Sequence, residues 1–253
     1  MQKKQIWMTV ALVVLLLVCA MLVFSRAGET DEDSAGAGRA DVDLILPPQT
    51  SDAAETPVYD GLPDIDITSW EYLFVNQSNS IGQYAPEVVS VGEGIAYFDT
   101  RAADALEALL QGARDAGFTP HLYCAYRSYA TQESQFANEV AKYMRQGTSE
   151  AEAKKAAALV VAEPGTSEHQ TGLSADVVDQ YYDSLSVDKV DANFMQWLHD
   201  HCAEYGFILR FPKEKTNITG RYEPWHVRYV GQEAAQFMMN NGLCMEEFVA
   251  LYR

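Results

Sequence analysis

The stretch Arg221-Tyr-Glu-Pro-Trp-His-Val-Arg-Tyr-Val230 places a carboxylate, a proline, an indole and an imidazole within a few residues of one another. Successive side chains of an extended strand point to opposite faces, so we expect Glu223 and His226 to lie on opposite faces. The proline fixes the backbone between them. A carboxylate and a histidine held in this way can act as base and metal ligand in one site, provided that the metal's other ligands come from elsewhere in the chain.

The charge of the chain is concentrated in one segment. The 253 residues carry a formal net charge of −18, and residues 29–66 contain eleven acidic residues against one basic residue, Arg39. An acidic surface repels phosphate backbones, so we do not expect nucleic-acid binding. The length suits one domain with a buried core and additional segments.

The N-terminal segment has the composition of an export signal. Residues 6–24 are apolar apart from Thr9 and Cys19, and they follow Lys3 and Lys4. The apolar stretch is long enough to cross a bilayer, and the lysines predict an N-terminus inside the cell with the rest of the chain outside. We interpret residues 1–24 as an uncleaved transmembrane anchor that places the catalytic domain on the outer face of the cell membrane; a cleaved signal segment is the alternative.

The next segment lacks the pattern of a folded domain. Residues 25–66 are rich in Gly, Ala, Ser, Pro and acids and have no apolar periodicity, so they predict an acidic, disordered linker. Apolar and aromatic residues become frequent near Trp70. We therefore expect the folded domain to span residues 67–253.

Helix and strand patterns alternate along this domain. Asp99 or Thr100 is expected to cap a helix that ends at Gly117, and residues 118–125 are expected to form a strand. The remaining expected elements are a helix from about Thr131 to Gly147, an alanine-rich helix from Ser149 to Pro164, a strand at Val177-Val178, a helix from Asn193 to Gly206, a strand at Phe207–Phe211 paired with the opening stretch, and two short C-terminal helices.

The cysteines and most of the histidines carry no clear site. Cys124, Cys202 and Cys244 are widely spaced, so neither a disulfide framework nor a cysteine zinc site is indicated, although a Cys202–Cys244 bridge remains open. His121 lies in an apolar strand. His199 and His201 are two residues apart on a helix, too far round its axis to bind one ion together.

His169 and His226 remain as candidate metal ligands. His169 lies in a glycine-flanked loop, and Asp176 follows it at the start of a predicted strand. With His226 from the neighbouring strand they supply three nitrogen and oxygen ligands, which leaves the fourth tetrahedral position for the water of a catalytic zinc. Glu223 is then placed as the base beside that water. For either motif alone, a hydrogen-bonded histidine and a surface aspartate are the alternative.

Three ordered motifs resemble those of a known family. Ser167-Glu-His-Gln-Thr-Gly-Leu-Ser-Ala-Asp176 and Glu223-Pro-Trp-His226 resemble the two zinc motifs of the VanY-type D-alanyl-D-alanine carboxypeptidases, SxHxxGxxxD and ExxH. Tyr126-Arg-Ser-Tyr-Ala-Thr-Gln132 resembles the substrate motif of that family, YRSYxxQ. The chain departs from the pattern at Cys124-Ala125, where many relatives have Ser-Gly.

The resemblance implies a fold and a set of roles. The implied fold is α+β and similar to the hedgehog and D,D-peptidase domains, with helices packed around a small antiparallel sheet that carries the zinc site. The implied zinc ligands are His169, Asp176 and His226, with Glu223 as general base. The implied substrate-binding residues are Arg127, which would hold the substrate's free carboxylate, assisted by Ser167 and Gln132.

The resemblance also implies a reaction. The expected activity is that of a zinc metallocarboxypeptidase that hydrolyses the C-terminal D-alanine from peptidoglycan stem peptides. Two alternatives are an L,D-carboxypeptidase that acts on tetrapeptide stems and a catalytically inactive cell-wall binding module. The expected partners are stem peptides and, through the N-terminal segment, the membrane.

Overall fold

The computed structural model describes residues 59–252. The predicted anchor at residues 1–24 and most of the predicted linker lie outside the described residues. Within residues 59–252, no helix combines the length and the apolar character needed to cross a membrane.

A four-stranded antiparallel sheet forms the centre of the domain. Its strands are β3 (His121–Cys124), β4 (Ser174–Val178), β5 (Phe207–Phe211) and β6 (Glu223–Tyr229), in the spatial order β3-β4-β6-β5. Every residue of β4 and β5 is buried, because both faces of these strands are covered. The α+β prediction is confirmed, and β5 has the bounds that the sequence predicted.

A separate β-hairpin precedes the first helix, and the sequence patterns above did not predict it. Its strands are β1 (Val88–Val91) and β2 (Ala96–Asp99), which pair antiparallel. Gly92, Glu93 and Gly94 join them, each with a positive φ. Glycine adopts such angles readily, so the Gly-Glu-Gly sequence between two apolar runs is the signal that predicts this turn.

Within the described residues, seven α-helices are packed around the sheets; six correspond to expected helices, and the short one at Thr216–Thr219 was not expected. They are α1 (Ala103–Asp115), α2 (Tyr129–Arg145), α3 (Glu150–Ala158), α4 (Ala192–His201), α5 (Thr216–Thr219), α6 (Gln232–Asn240) and α7 (Met245–Ala250). The Ser149 side chain accepts a hydrogen bond from the Glu152 amide and so caps α3 as predicted.

The predicted start of α1 and end of α3 are wrong. Asp99 belongs to β2, and its carboxylate accepts hydrogen bonds from the backbone amide and the guanidinium of Arg101, so it is not free to cap the helix. The helix begins at Ala103 without a side-chain cap. Helix α3 ends at Ala158, six residues before Pro164, the residue that was expected to end it.

Two large apolar cores, called the larger and the smaller core, and a small cluster between α2 and α3, formed by Val140, Ala153 and Ala157, hold the described elements together. The larger contains Leu106 and Leu109 of α1, Phe194 and Leu198 of α4, and Val227 of β6, all fully buried. It fixes one face of the sheet against the helices. The smaller core lies beneath α6 and α7 and includes their residues Met238 and Phe248. Close packing of these side chains gives the sheet the rigidity that a precise site needs.

Tyr59 and Pro63, which precede the expected start of the domain at residue 67, contact the C-terminal helical region. The ring of Tyr59 packs edge-on against Phe237, with ring centroids 5.9 Å apart. The Tyr252 hydroxyl donates a hydrogen bond of 2.8 Å to the Pro63 carbonyl oxygen. Composition placed these residues in the linker because the segment around them is acidic, but their few apolar side chains are enough to dock on the smaller core.

Candidate metal centre

The sheet and a 3-10 turn bring together the three ligands predicted from the sequence. Asp176 of β4 lies directly opposite His226 of β6 in the strand register, and residues in that relation present their side chains on the same face. His169 comes from the 3-10 turn Glu168–Thr171. The His169 Nε2 is 3.3 Å from Asp176 Oδ2, and the His226 Nδ1 is 3.0 Å from Asp176 Oδ1.

The predicted base lies beside this group, against the expectation from strand alternation. The Glu223 Oε2 is 3.7 Å from His226 Nδ1, so the two side chains share a face. Leu209 of β5 pairs with Val227 of β6, but Phe211, two residues further along β5, pairs with Glu223, four residues away from Val227. The two extra residues of β6 form a bulge around Pro224, which re-aims Glu223 towards His226.

A hydrogen bond sets the tautomer of His169. Its Nδ1 is 2.8 Å from the carbonyl oxygen of Ala125, and a carbonyl can only accept, so Nδ1 carries the proton. The Nε2 lone pair is then directed at the other side of the ring, where Asp176 lies. A backbone carbonyl that orients a histidine in this way is the usual support of a metal ligand.

The electrostatics of the group favour a cation. Burial alone would lower the pKa of His169, but the neighbouring Cys124 sulfur and Asp176 carboxylate raise it well above its usual value. Burial alone would raise the pKa of Asp176, but His169 and His226 lower it below its ordinary range. Asp176 therefore stays ionised, and the same negative surroundings favour a positive charge at His169. A metal ion would supply that charge by displacing the proton, since metal binding requires a neutral imidazole and an ionised carboxylate.

The donor atoms fit a zinc ion. We call Cys124, His169, Asp176 and His226 the metal cluster. The buried Asp176 Oδ1 lies 3.0 Å from His226 Nδ1 but makes no hydrogen bond of normal geometry, and buried polar atoms normally make one. Donor atoms of Cys124, His169 and Asp176 all lie within 4.8 Å of one another. Nitrogen, oxygen and sulfur donors at such separations are the set that zinc prefers.

A cavity of about 720 Å³ opens over the site. The three predicted ligands line it together with Glu223, Arg127 and Ser167. Arg127 is anchored by its backbone amide, which donates to the His169 carbonyl oxygen at 3.0 Å. This hydrogen bond connects the predicted carboxylate-binding residue directly to the turn that carries the predicted metal ligand His169.

Gln132 lies behind Arg127 rather than on the cavity wall. Its side chain is fully buried, its Oε1 accepts a 2.9 Å hydrogen bond from the Arg127 Nη1, and its Nε2 donates to the Ala162 carbonyl. The side chain therefore orients the guanidinium. Ser167 lines the cavity next to the 3-10 turn, the position from which the sequence predicts that it assists substrate binding.

A second buried polar group, which the sequence analysis missed, supports the same turn. Glu168 accepts hydrogen bonds from Arg210 Nε at 2.9 Å and from Arg228 Nη1 at 2.7 Å. Glu246 binds the other side of the Arg210 guanidinium through both carboxylate oxygens. We call these four residues the arginine cluster. Burial alone would raise the pKa of Glu168, but Arg228 and Arg210 lower it to about 2.

The arginine cluster ties the turn to distant parts of the chain. Arg228 also donates to the backbone carbonyls of Glu71 and Leu73, at 3.0 and 2.8 Å. Its partners therefore come from two regions far from it in sequence, residues 71–73 and Glu168. No local pattern relates residues so widely separated, which is why the arginine cluster is not predictable from periodicity or motifs.

Comparison with known proteins agrees with the site. The profile of the VanY family, described as D-alanyl-D-alanine carboxypeptidase, matches residues 96–232. A D-alanyl-D-alanine carboxypeptidase of Enterococcus faecalis is 37% identical over 186 residues, which cover 73% of this chain and 67% of the relative.

Two solved structures are similar throughout the described domain. The vancomycin resistance D,D-pentapeptidase VanY from a VanB-type resistance cassette, in complex with Zn(II), is 38% identical with a TM-score of 0.61, and the match covers 72% of this chain and 99% of that one. The L,D-carboxypeptidase LdcB is 33% identical with a TM-score of 0.60, and the match covers 78% and 93%. The chain belongs to the VanY family of D-alanyl-D-alanine carboxypeptidases.

Proposed function

We propose that the chain is a zinc metallocarboxypeptidase that removes the C-terminal D-alanine from peptidoglycan stem peptides. The observation that carries this proposal is that the three predicted ligands line the same cavity as Glu223 and Arg127. A metal site, a base and a cation for the substrate's terminal carboxylate are the parts that such a hydrolase needs.

His169 Nε2, the Asp176 carboxylate and His226 Nδ1 are the atoms that would hold the zinc ion. When bound, zinc polarises a carbonyl group and lowers the pKa of its water towards about 7. The role of the protein is to fix these donors. The hydrogen bond from His169 to Ala125 and the strand register between Asp176 and His226 do so.

Glu223 is placed to move the proton. Its carboxylate lies beside His226 and is held at the cavity by a 3.4 Å contact between its Oε1 and the Arg221 Nη1. It would accept the proton of the attacking water and return it to the nitrogen of the leaving D-alanine. Because water is the nucleophile, no side chain becomes acylated, and β-lactams that acylate serine enzymes should leave this enzyme active.

Arg127 accounts for the choice of the chain end. A guanidinium has five N–H donors, and Arg127 uses its Nη1 for Gln132 and one Nη2 donor for the Cys124 sulfur at 3.1 Å. Arg127 lines the cavity, and a guanidinium can bind a carboxylate in planar, two-point geometry. A requirement for a free carboxylate makes the enzyme an exopeptidase.

The D,D-specific reaction is favoured over the L,D alternative. The Enterococcus faecalis relative and the zinc-bound pentapeptidase, both of D,D type by name, are 37% and 38% identical to the chain, against 33% for LdcB. An inactive binding module would be expected to have lost the base or a ligand, and the chain retains all of them.

Product analysis on defined stem peptides tests the reaction. The full-length chain is incubated with a pentapeptide ending in D-alanyl-D-alanine and with the matching tetrapeptide, and the products are weighed by mass spectrometry. We expect the pentapeptide to lose a single alanine, and a chelator to abolish the loss. Release of alanine from the tetrapeptide alone would refute the D,D assignment in favour of the L,D one.

We also propose that residues 1–24 anchor the enzyme in the cell membrane with its catalytic domain outside. The support is the apolar run after two lysines and a substrate that lies outside the membrane. Fractionation of cells that express the full chain should recover it with membranes and leave the domain open to added protease. Recovery of the full-length chain in the soluble fraction would refute the anchor.

A further inference from the structure

Three donor residues stand side by side across the central sheet. Cys124 of β3 lies opposite Asp176 of β4, and Asp176 lies opposite His226 of β6. Residues directly opposite in antiparallel strands have their side chains on one face, about 4.5–5.5 Å apart at Cβ. The register therefore places a sulfur, a carboxylate and an imidazole in one row.

His169 joins this row from the 3-10 turn. A donor atom of His169 lies within 4.8 Å of both the Cys124 sulfur and an Asp176 oxygen. The sulfur thus belongs to the same group of atoms as two of the predicted zinc ligands. The sulfur also accepts a hydrogen bond from Arg127 Nη2 at 3.1 Å and lies 3.6 Å from the Ala125 carbonyl oxygen.

The other two described cysteines have a different environment. Cys202 and Cys244 are fully buried, Cys202 among the apolar residues of the larger core, and burial raises the pKa of each thiol to about 12. They behave as small apolar residues, as free cysteines usually do. Cys124 is partly exposed and surrounded by metal-binding and cationic side chains, so packing does not account for its position.

We propose that Cys124 is a fourth protein ligand of the metal in the substrate-free enzyme. The proposal rests on the metal site of the proposed function. On binding, the thiol releases its proton to solvent and the sulfur bonds to the metal. The resulting donor set of two nitrogens, one oxygen and one sulfur favours soft divalent ions such as Zn²⁺ and Cd²⁺ over Mg²⁺.

A sulfur ligand would make the resting site different from a three-ligand zinc site. Four protein ligands close a tetrahedral site, whereas catalysis needs an open position. Cys124 must then leave the metal when water and substrate enter. The displaced sulfur can remain in contact with Arg127 Nη2. Because Arg127 is also the predicted carboxylate-binding residue, substrate binding at Arg127 would be coupled to release of the sulfur from the metal.

Cobalt spectroscopy tests the proposal without reference to turnover. The full-length chain is freed of metal and reconstituted with Co²⁺, and its absorption is compared with that of Cys124→Ala and of the matched control Cys202→Ala. We expect a sulfur-to-cobalt charge-transfer band in the near ultraviolet for the unaltered chain and the control, and loss of this band in Cys124→Ala, with visible bands showing that Co²⁺ is still bound. Bound Co²⁺ without a charge-transfer band in the unaltered chain would overturn the proposal.

Cadmium affinity gives a second readout. Because thiolate is the soft donor of the set, we expect Cys124→Ala to weaken Cd²⁺ binding about tenfold or more and to change the Co²⁺ affinity less. Equal loss for both ions would contradict a sulfur ligand. A chain that binds Co²⁺ and releases D-alanine but shows no sulfur signal refutes this inference alone, whereas a chain that binds no metal refutes the proposed function as well.

Discussion

The two buried polar clusters on either side of the 3-10 turn differ in completeness. In the arginine cluster two guanidiniums meet two carboxylates, and every side chain makes hydrogen bonds within the protein. In the metal cluster the buried Asp176 Oδ1 makes no hydrogen bond of normal geometry. A complete cluster stabilises the fold by itself, while an incomplete one is prepared for a ligand.

Neighbouring residues of the chain belong to these opposite clusters. Glu168 reaches the arginine cluster and His169 the metal cluster, although they are adjacent in the turn. The ion pairs of Glu168 therefore fix the backbone from which His169 is presented. Buried networks of this kind rigidify a site only when each member is satisfied, and this one is satisfied.

Removal of the charge of Glu168 should have the largest effect on stability. Glu168→Gln keeps the shape of the side chain but leaves the buried guanidinium of Arg228 with carbonyl partners only. Breaking a buried ion pair on one side costs about 3–5 kcal/mol, and we expect that loss in the free energy of unfolding, measured by urea titration.

The matched control is Glu150→Gln. Glu150 forms an ion pair with Lys154 at 2.7 Å, but both side chains are exposed, so its loss should leave the urea midpoint unchanged. If Glu168→Gln were as stable to urea as this control, the arginine cluster would not stabilise the fold as proposed.

The free energy of unfolding should also depend on pH, with a somewhat smaller effect that again comes from the charge of Glu168. Because the folded state lowers the pKa of Glu168 to about 2 from 4.5, its contribution is complete above pH 4.5 and is lost as the pH falls towards 2. The shift corresponds to about 3 kcal/mol. We expect the stability difference between the unaltered chain and Glu168→Gln to shrink by that amount over this interval, and a constant difference would contradict the assigned cause.

Much of the fold could be predicted because its signals are local. Strand Phe207–Phe211 and the glycine that ends the preceding helical segment, Gly206, are encoded in adjacent residues. The cap of α1 was mispredicted because Asp99 is engaged by Arg101 at the end of an unrecognised hairpin. A cap prediction assumes that the side chain is free, and sequence alone does not show that it is not.

The candidate site was predictable in its residues but not in its arrangement. The motifs identified His169, Asp176 and His226, yet strict alternation placed Glu223 on the wrong face, because the bulge in β6 depends on pairing with β5. Cys124 was noted as a departure from the family pattern, but its place beside Asp176 follows from strand register. Non-local pairing decides both features.

The most direct test of the account measures bound zinc and D-alanine release side by side in Glu223→Gln and His226→Ala. We expect Glu223→Gln to retain its zinc but to lose about 10²- to 10⁴-fold in turnover, since only proton transfer is removed, and we expect His226→Ala to lose both zinc and activity. Turnover near that of the unaltered chain in Glu223→Gln, or unchanged zinc affinity in His226→Ala, would contradict the account.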